Sequence, residues 1–510
     1  MTERAWWRSA AFYQVYVRSF QDSDGDGVGD LPGIRSRLPY LRELGVDALW
    51  LTPFYPSPGA DHGYDVADYT DVDPQLGTLS DFDALVRDAH ALDLRVTIDI
   101  VPNHTSDRHP WFQNALADPS HPDRARYMFR PGRNGGPPNG LTSAFGGPAW
   151  TLDEQSGDYY LHFFTQEQPD LDWHNETVQH DFEQILRFWL DRGVDGFRID
   201  VAHALFKAQD LREMTEPVPR PQFGDWLSAL MQPELHSLYR RWRELADEYA
   251  GERMYVAEIV LENQETIASY VVPDQLHLSF NFALLHEQWD AEQMRETIDR
   301  TLTALGAVGA TATWVFENHD VTRLATRYGG GADGQQRARA AALLLFALPG
   351  TSFAYQGQEL GLEEADVPDA ARQDPIFLRT GGERKGRDGC RVPIPWTKAP
   401  GYGFTSGEPW LPYPDGWGER SVEAQSGLPG SALELYRAAL RLRPRDDGFA
   451  WRESPAGTLA FARGDLTCVV NFSASELELP EGDVLLTSEP GIERILPTNT
   501  SAWLRTKGNG

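Results

Sequence analysis

Short apolar runs recur along the chain at 12–20, 46–53, 94–103, 194–201, 254–260, 275–282, 310–320 and 348–360. Several of them (ALWL, VTIDIV, MYVAEIV) are nearly unbroken, as strands are when both faces are covered. The segments between follow a helical period. Ile34, Leu38 and Leu41 share a face that Gly45 ends. Ser80 is placed to cap a helix with Phe82, Leu85, Val86, Ala89 and Leu92 on one side. The run GQQRARAAALLLFAL precedes the eighth strand, and Ser431 with Glu434 forms a capping box ahead of Leu433, Tyr436 and Leu440. Eight strands alternating with helices predict an α/β fold, a (β/α)8 TIM barrel whose functional groups gather at the C-terminal strand ends.

Three segments interrupt the alternation. Residues 104–174, rich in Gly, Pro and Trp, predict a small subdomain inserted after strand 3. Residues 207–249 read as a helical excursion after strand 4, and 363–430 as a polar, turn-rich stretch. Beyond residue 444 the pattern changes to alternating short strands (TLAFARG, LTCVVNFS, DVLLTS, AWLRT), which predict a C-terminal antiparallel β-sandwich domain. The expected division is 1–103 and 175–447 for the barrel, 104–174 for the insertion and 448–510 for the tail.

Composition narrows the partners. With 46 Lys and Arg against 76 Asp and Glu, the net charge of −30 repels phosphate backbones and anionic membranes. The start of the chain, MTERAWWRSAAF, lacks the apolar stretch of a secretory signal, and the longest apolar run, 340–348, is far short of a membrane span. The two cysteines, Cys390 and Cys468, stand apart and in no metal-like spacing, so reduced thiols and a cytoplasmic location are expected.

The strand ends carry polar groups of one chemical kind. Strand 3 ends in Asp99, Asn103 and His104; strand 4 in Arg198, Asp200 and His203; strand 5 holds Glu258; strand 7 ends in Glu317, Asn318, His319 and Asp320; strand 8 in Gln356, Gln358 and Glu359. Any one of these is commonly a satisfied strand terminus, but carboxylates at four ends of one barrel are better explained as a site. Serine elbows, Cys–His pairs and phosphate-cradling glycine loops are missing. Glycosidic cleavage needs one carboxyl protonated and one ionised. Burial would raise Glu258, and Arg198, two residues away on the same strand face, would lower Asp200. Tyr64, Phe145 and Phe164 suit stacking on sugar rings. Separately, Asp22, Asp24, Asp26 and Asp30 alternate with small residues as oxygen-ligand Ca²⁺ loops do, although Gly33 stands where an EF-hand has Glu.

DIVPNH (99–104), GFRIDVAHA (196–204), Glu258 in VAEIV, FENHD (316–320), QPDLDW (168–173), HGYDVADY (62–69) and GRDGCRVPIPW (386–396) resemble motifs of the α-amylase superfamily, glycoside hydrolase family thirteen, in its α-glucosidase and oligo-1,6-glucosidase branch. The resemblance implies an exo-acting retaining α-glucosidase acting on small α-glucosides. It implies Asp200 as nucleophile, Glu258 as acid/base and Asp320 as the third carboxylate, with Arg198 orienting the nucleophile. His104 and His319 would bind glucose hydroxyls, Tyr64 would stack beneath the ring, and Asp65 with Arg391 would close the far end. Asp22, Asp24, Asp26, Asp30 and the Val28 carbonyl would hold a structural Ca²⁺; no organic cofactor is implied. Val201 is what α-1,6-preferring members carry after the nucleophile. A transglucosylase or isomerase of the same branch (trehalose-synthase-like or sucrose-isomerase-like), and an inactive amylase-like interaction protein, stand as alternatives.

Overall fold

A computed structural model of the protein describes residues 5–209, 232–261, 263–446 and 448–505. Eight parallel strands form one sheet: β1 (Ala11–Val15), β2 (Ala48–Leu51), β3 (Arg95–Ile100), β4 (Gly196–Ile199), β5 (Met254–Ala257), β6 (Leu278–Ser279), β7 (Thr313–Val315) and β8 (Thr351–Tyr355). Their spatial order, β7-β8-β1-β2-β3-β4-β5-β6, is sequential around the barrel apart from the seam between β6 and β7. Period-two alternation explains the unbroken apolar runs. Phe12, Ala48, Trp50, Val256, Leu278 and Phe353 fill the interior, while Tyr13, Val15, Leu49 and Leu51 pack outward with the helices.

The strands are shorter than the runs that predicted them. Past Val15 the chain turns into a 3-10 helix, Val17–Ser19, because side chains take over the ladder's hydrogen bonds. The Tyr16 amide donates to Gln356 Oε1 at 2.7 Å and the Val17 amide to Thr52 Oγ1 at 3.1 Å. The polar strand ends are therefore loops, free to aim side chains inward.

Local capping follows the sequence with two shifts. Gly45 ends helix Leu38–Leu44 at φ +96°, where a side chain would be strained. Helix Leu79–Ala91 is capped by Thr78 and Asp81 in a reciprocal box, not by Ser80. Ser431 caps helix Ala432–Leu442 as expected, but the Glu434 carboxylate accepts from the Gly427 amide instead of closing the box. The second half of helix Gly331–Ala347, from Ala340 on, is apolar on all sides because the C-terminal domain covers its outer face: Trp503 Nε1 donates to Leu343 O at 3.0 Å and Ser501 Oγ to Ala340 O at 3.1 Å.

The insertion after β3 holds helix Pro110–Ala117 and a three-stranded antiparallel sheet of Phe129–Pro131, Asp158–Leu161 and Trp150–Leu152. The excursion expected at 207–249 contains helix Glu234–Asp247; its residues 210–231 lie outside the described residues, as do 506–510 of the tail. The tail forms a five-stranded and a two-stranded antiparallel sheet. No helix among the described residues is long and apolar enough to cross a membrane.

Candidate active site

Strand register builds the floor of the site. Asp99 on β3 lies level with Arg198 on β4, and Ile199 lies level with Ala257 on β5, so Asp200 and Glu258 each stand one residue past a paired position on neighbouring strands. Arg198 is buried and spans all three acids. Its Nη1 reaches Asp99 Oδ1 at 2.7 Å and Asp200 Oδ1 at 2.5 Å, and its Nη2 reaches Glu258 Oε1 at 2.5 Å. The Val201 amide donates to the other Glu258 oxygen at 3.0 Å.

These groups open into a cavity of about 580 Å³ at the C-terminal end of the barrel. Of the residues predicted from sequence, Tyr64, His104, Phe145, Phe164, Asp200, His203, Glu258, Asn318, His319 and Asp320 line it. Tyr64 lies parallel to His319 with ring centres 5.5 Å apart, and its hydroxyl bonds His319 Nε2 at 2.7 Å. His104 Nε2 sits 3.0 Å from Gln168 Nε2 and 3.1 Å from the Tyr64 carbonyl.

Other predicted residues lie outside the cavity lining. Asp65 is fully buried and does not wall the cavity: it accepts from Ser57 Oγ and from the Ala60 and Asp61 amides, closing its own turn. Arg391 is likewise buried behind the wall, bonding the His319 carbonyl and Asp320 Oδ1 at 2.9 Å each. Asp61 and Arg387 occupy the cavity wall in their place. Arg387 Nη2 donates to Asp61 Oδ1 at 2.7 Å and its Nη1 to Asp320 Oδ1 at 3.0 Å. Each lies four residues before the residue expected, inside or beside a motif already visible in the sequence. The strand 8 groups are structural. Glu359 accepts from Tyr13 and Tyr40, Gln356 bonds Tyr16 and Ser19, and Gln358 caps Tyr355; on strand 7, Glu317 pairs with Arg323.

Electrostatics reverse one expectation. Burial pushes Asp200 well above the usual carboxylate range; Arg198 pulls it down, as the sequence suggested, but Glu258 and Asp99 add to the rise. Asp99 is likewise pushed up by burial to about 6 against Arg198. Asp320 goes the other way. Burial would raise it, but His319 and the guanidiniums of Arg387, Arg391 and Arg198 hold it far below the ordinary range. Burial lowers His104 to about 3, so it presents a neutral ring.

In the acidic loop, Asp22, Asp24 and Asp30 bring carboxylate oxygens within 4.8 Å of one another. Asp26 lies outside that group and accepts from the Val28 amide and from Gln75 Nε2.

Residues 14–451 match the catalytic domain of the α-amylase family. A protein named probable alpha-glucosidase from Rhizobium meliloti is 39% identical over 506 residues, covering 94% of this chain and 92% of that protein. An oligo-1,6-glucosidase from Parageobacillus thermoglucosidasius is 34% identical over 481 residues, covering 87% and 84%. Among solved structures, the alpha-glucosyl transfer enzyme XgtA superposes with a TM-score of 0.90 at 40% identity, covering 99% and 100% of the two chains. Isomaltulose synthase from Erwinia rhapontici NX5 with bound sucrose superposes with a TM-score of 0.90 at 29% identity, covering 98% and 99%. With an inserted subdomain after β3, acids at the ends of β4, β5 and β7, and a family match spanning most of its length, the chain belongs to the α-amylase family of glycoside hydrolases.

Proposed function

We propose that the protein is an exo-acting, retaining α-glucosidase that removes terminal glucose from short α-1,4- or α-1,6-linked glucosides. Asp200 and Glu258 carry this reading: two carboxyls on adjacent parallel strands, bridged by one guanidinium, at the floor of a sugar-sized cavity. Retaining enzymes hold the two carboxyls about 5–5.5 Å apart and inverting ones about 6.5–9.5 Å, and two carboxyls bonded to one guanidinium are held close together, in keeping with the first. Asp200 attacks the anomeric carbon as Glu258 gives its proton to the departing oxygen; Glu258 then takes a proton from water as the glucosyl ester is cleaved. Asp320, held ionised, accepts from glucose hydroxyls, and the Asp61–Arg387 pair walls the cavity as an exo-acting pocket requires. The named relatives include α-glucosidases and oligo-1,6-glucosidases, in keeping with this chemistry.

A transfer reading has one observation behind it. Val260, Phe282, Leu285 and Ile376 give the cavity a partly apolar wall, and two structural neighbours are named for glucosyl transfer or isomaltulose synthesis. A dry wall favours a sugar over water as acceptor. Following maltose, isomaltose and sucrose by proton NMR tests both readings. The expected first product is free α-glucose; β-glucose first would overturn retention, and isomeric disaccharides without glucose would overturn hydrolysis. With the three acids in one cavity, nothing favours an inactive interaction protein.

Asp22, Asp24 and Asp30 offer the hard oxygen donors that Ca²⁺ takes, and we propose that they hold a structural cation with Asp26 and the Val28 carbonyl. A cytoplasmic location is proposed from the two buried, unpaired thiols Cys390 and Cys468.

A further inference from the structure

Val201 follows Asp200 in the left-handed region, at φ +46°, and is the one β-branched residue among the described non-glycine residues of positive φ. L-residues avoid this region, and β-branched ones most of all. Strain of this kind persists only where the surroundings enforce it.

Two features surround the strained residue. Its isopropyl group is buried in an apolar cluster with Met128, Leu141, Trp150 and Phe163 of the inserted subdomain. Its backbone amide, turned by the left-handed conformation, donates to Glu258 Oε2 at 3.0 Å. The amides on either side point differently, Asp200 to the Ile100 carbonyl and Ala202 to the Glu258 carbonyl, so Val201 alone of the three reaches the Glu258 carboxyl. With Arg198 on Oε1, that amide fixes the plane of the Glu258 carboxyl.

We propose that Val201 is a positioning residue for acid catalysis: anchored in the core of the inserted subdomain, it holds its own backbone in a strained turn that directs an N–H to Glu258, coupling the docking of that subdomain to the orientation of the acid. The proposal rests on Glu258 being the acid/base. It assigns Val201 a task distinct from shaping the cavity wall, and the two tasks separate by leaving group. A glucosyl–oxygen bond needs the proton from Glu258, whereas fluoride leaves without one.

The test compares kcat/KM, which reports formation of the glucosyl-enzyme, on maltose or isomaltose (whichever the wild type turns over faster) and on α-glucosyl fluoride. The variants are Val201→Gly, Val201→Ala, Val201→Ile and Glu258→Gln. The ratio of the two values cancels any loss of folded enzyme. Val201→Ala, which loses the anchor but is still strained in the left-handed turn, is expected to fall about tenfold or more on the disaccharide and less than about twofold on the fluoride, whereas Val201→Gly, which adopts that turn without strain, should fall less. Val201→Ile, which keeps the anchor, should restore the wild-type ratio. Equal losses on both substrates, or none, while Glu258→Gln retains a strong leaving-group dependence, would overturn the proposal alone. A Glu258→Gln enzyme with no leaving-group dependence would overturn the assignment of the acid beneath it.

Discussion

Arg387→Met removes one guanidinium that three acids share. Arg387 bonds Asp374 through Nε at 2.7 Å, Asp320 through Nη1 at 3.0 Å and Asp61 through Nη2 at 2.7 Å. Stripping a buried ion pair of one partner costs about 3–5 kcal/mol, because the remaining charge stays desolvated. The cost should depend on pH, through Asp61. Burial already raises that carboxyl from 3.8 to about 6, with Arg387 and Arg391 opposing. A raised carboxyl binds its proton more tightly in the folded state. Its charge therefore destabilises the fold progressively as pH climbs from 3.8 through about 6. Without Arg387 the rise is larger and the loss extends to higher pH. Asp320 and Asp374 also lose Arg387 but keep Arg391 and start far below the ordinary range, whereas Asp61 starts at about 6, so the difference between pH 5 and pH 8 reports mainly Asp61. Urea unfolding followed by tryptophan fluorescence should show the variant losing at least about 1.4 kcal/mol more at pH 8 than at pH 5. An identical loss at both would refute the reasoning, since Asp61 would then not be the charge that Arg387 restrains.

Asp200→Asn should lower glucose release by more than about four orders of magnitude with the circular dichroism unchanged; retained hydrolysis would remove it as nucleophile. Asp65→Asn and Asp61→Asn should separate. The first should cost about 1–3 kcal/mol of stability through its lost turn acceptors and leave KM within a few-fold, while the second should raise KM by about tenfold or more; the reverse pattern would return Asp65 to the sugar. Chelation with EGTA should lower the melting temperature more than the initial rate if the Asp22–Asp24–Asp30 cluster holds Ca²⁺, and an unchanged melt would leave that cluster without a metal.

The barrel, the insertion after β3 and the antiparallel tail were legible in the chain because period and burial leave direct marks on composition. Period-two runs become strands, a helix apolar on all sides must be covered, and Gly45 stops a helix wherever it falls. The acids proposed for catalysis were legible for a related reason: Asp200 and Glu258 sit at fixed register on neighbouring strands, so strand order places them together. The Asp61–Arg387 pair on the cavity wall was not. Asp61 and Asp65 share one irregular turn in which no periodicity says which carboxylate faces the cavity, and Arg387 meets Asp61 across 326 residues. The charge state of Asp200 was hidden for a different reason. Arg198, two residues away, is visible in the sequence, but the burial that outweighs it is a sum over walls contributed by the whole fold. Local order and register thus belong to the sequence, while the facing of side chains in loops, and the cost of desolvating them, exist only once the chain has closed around them.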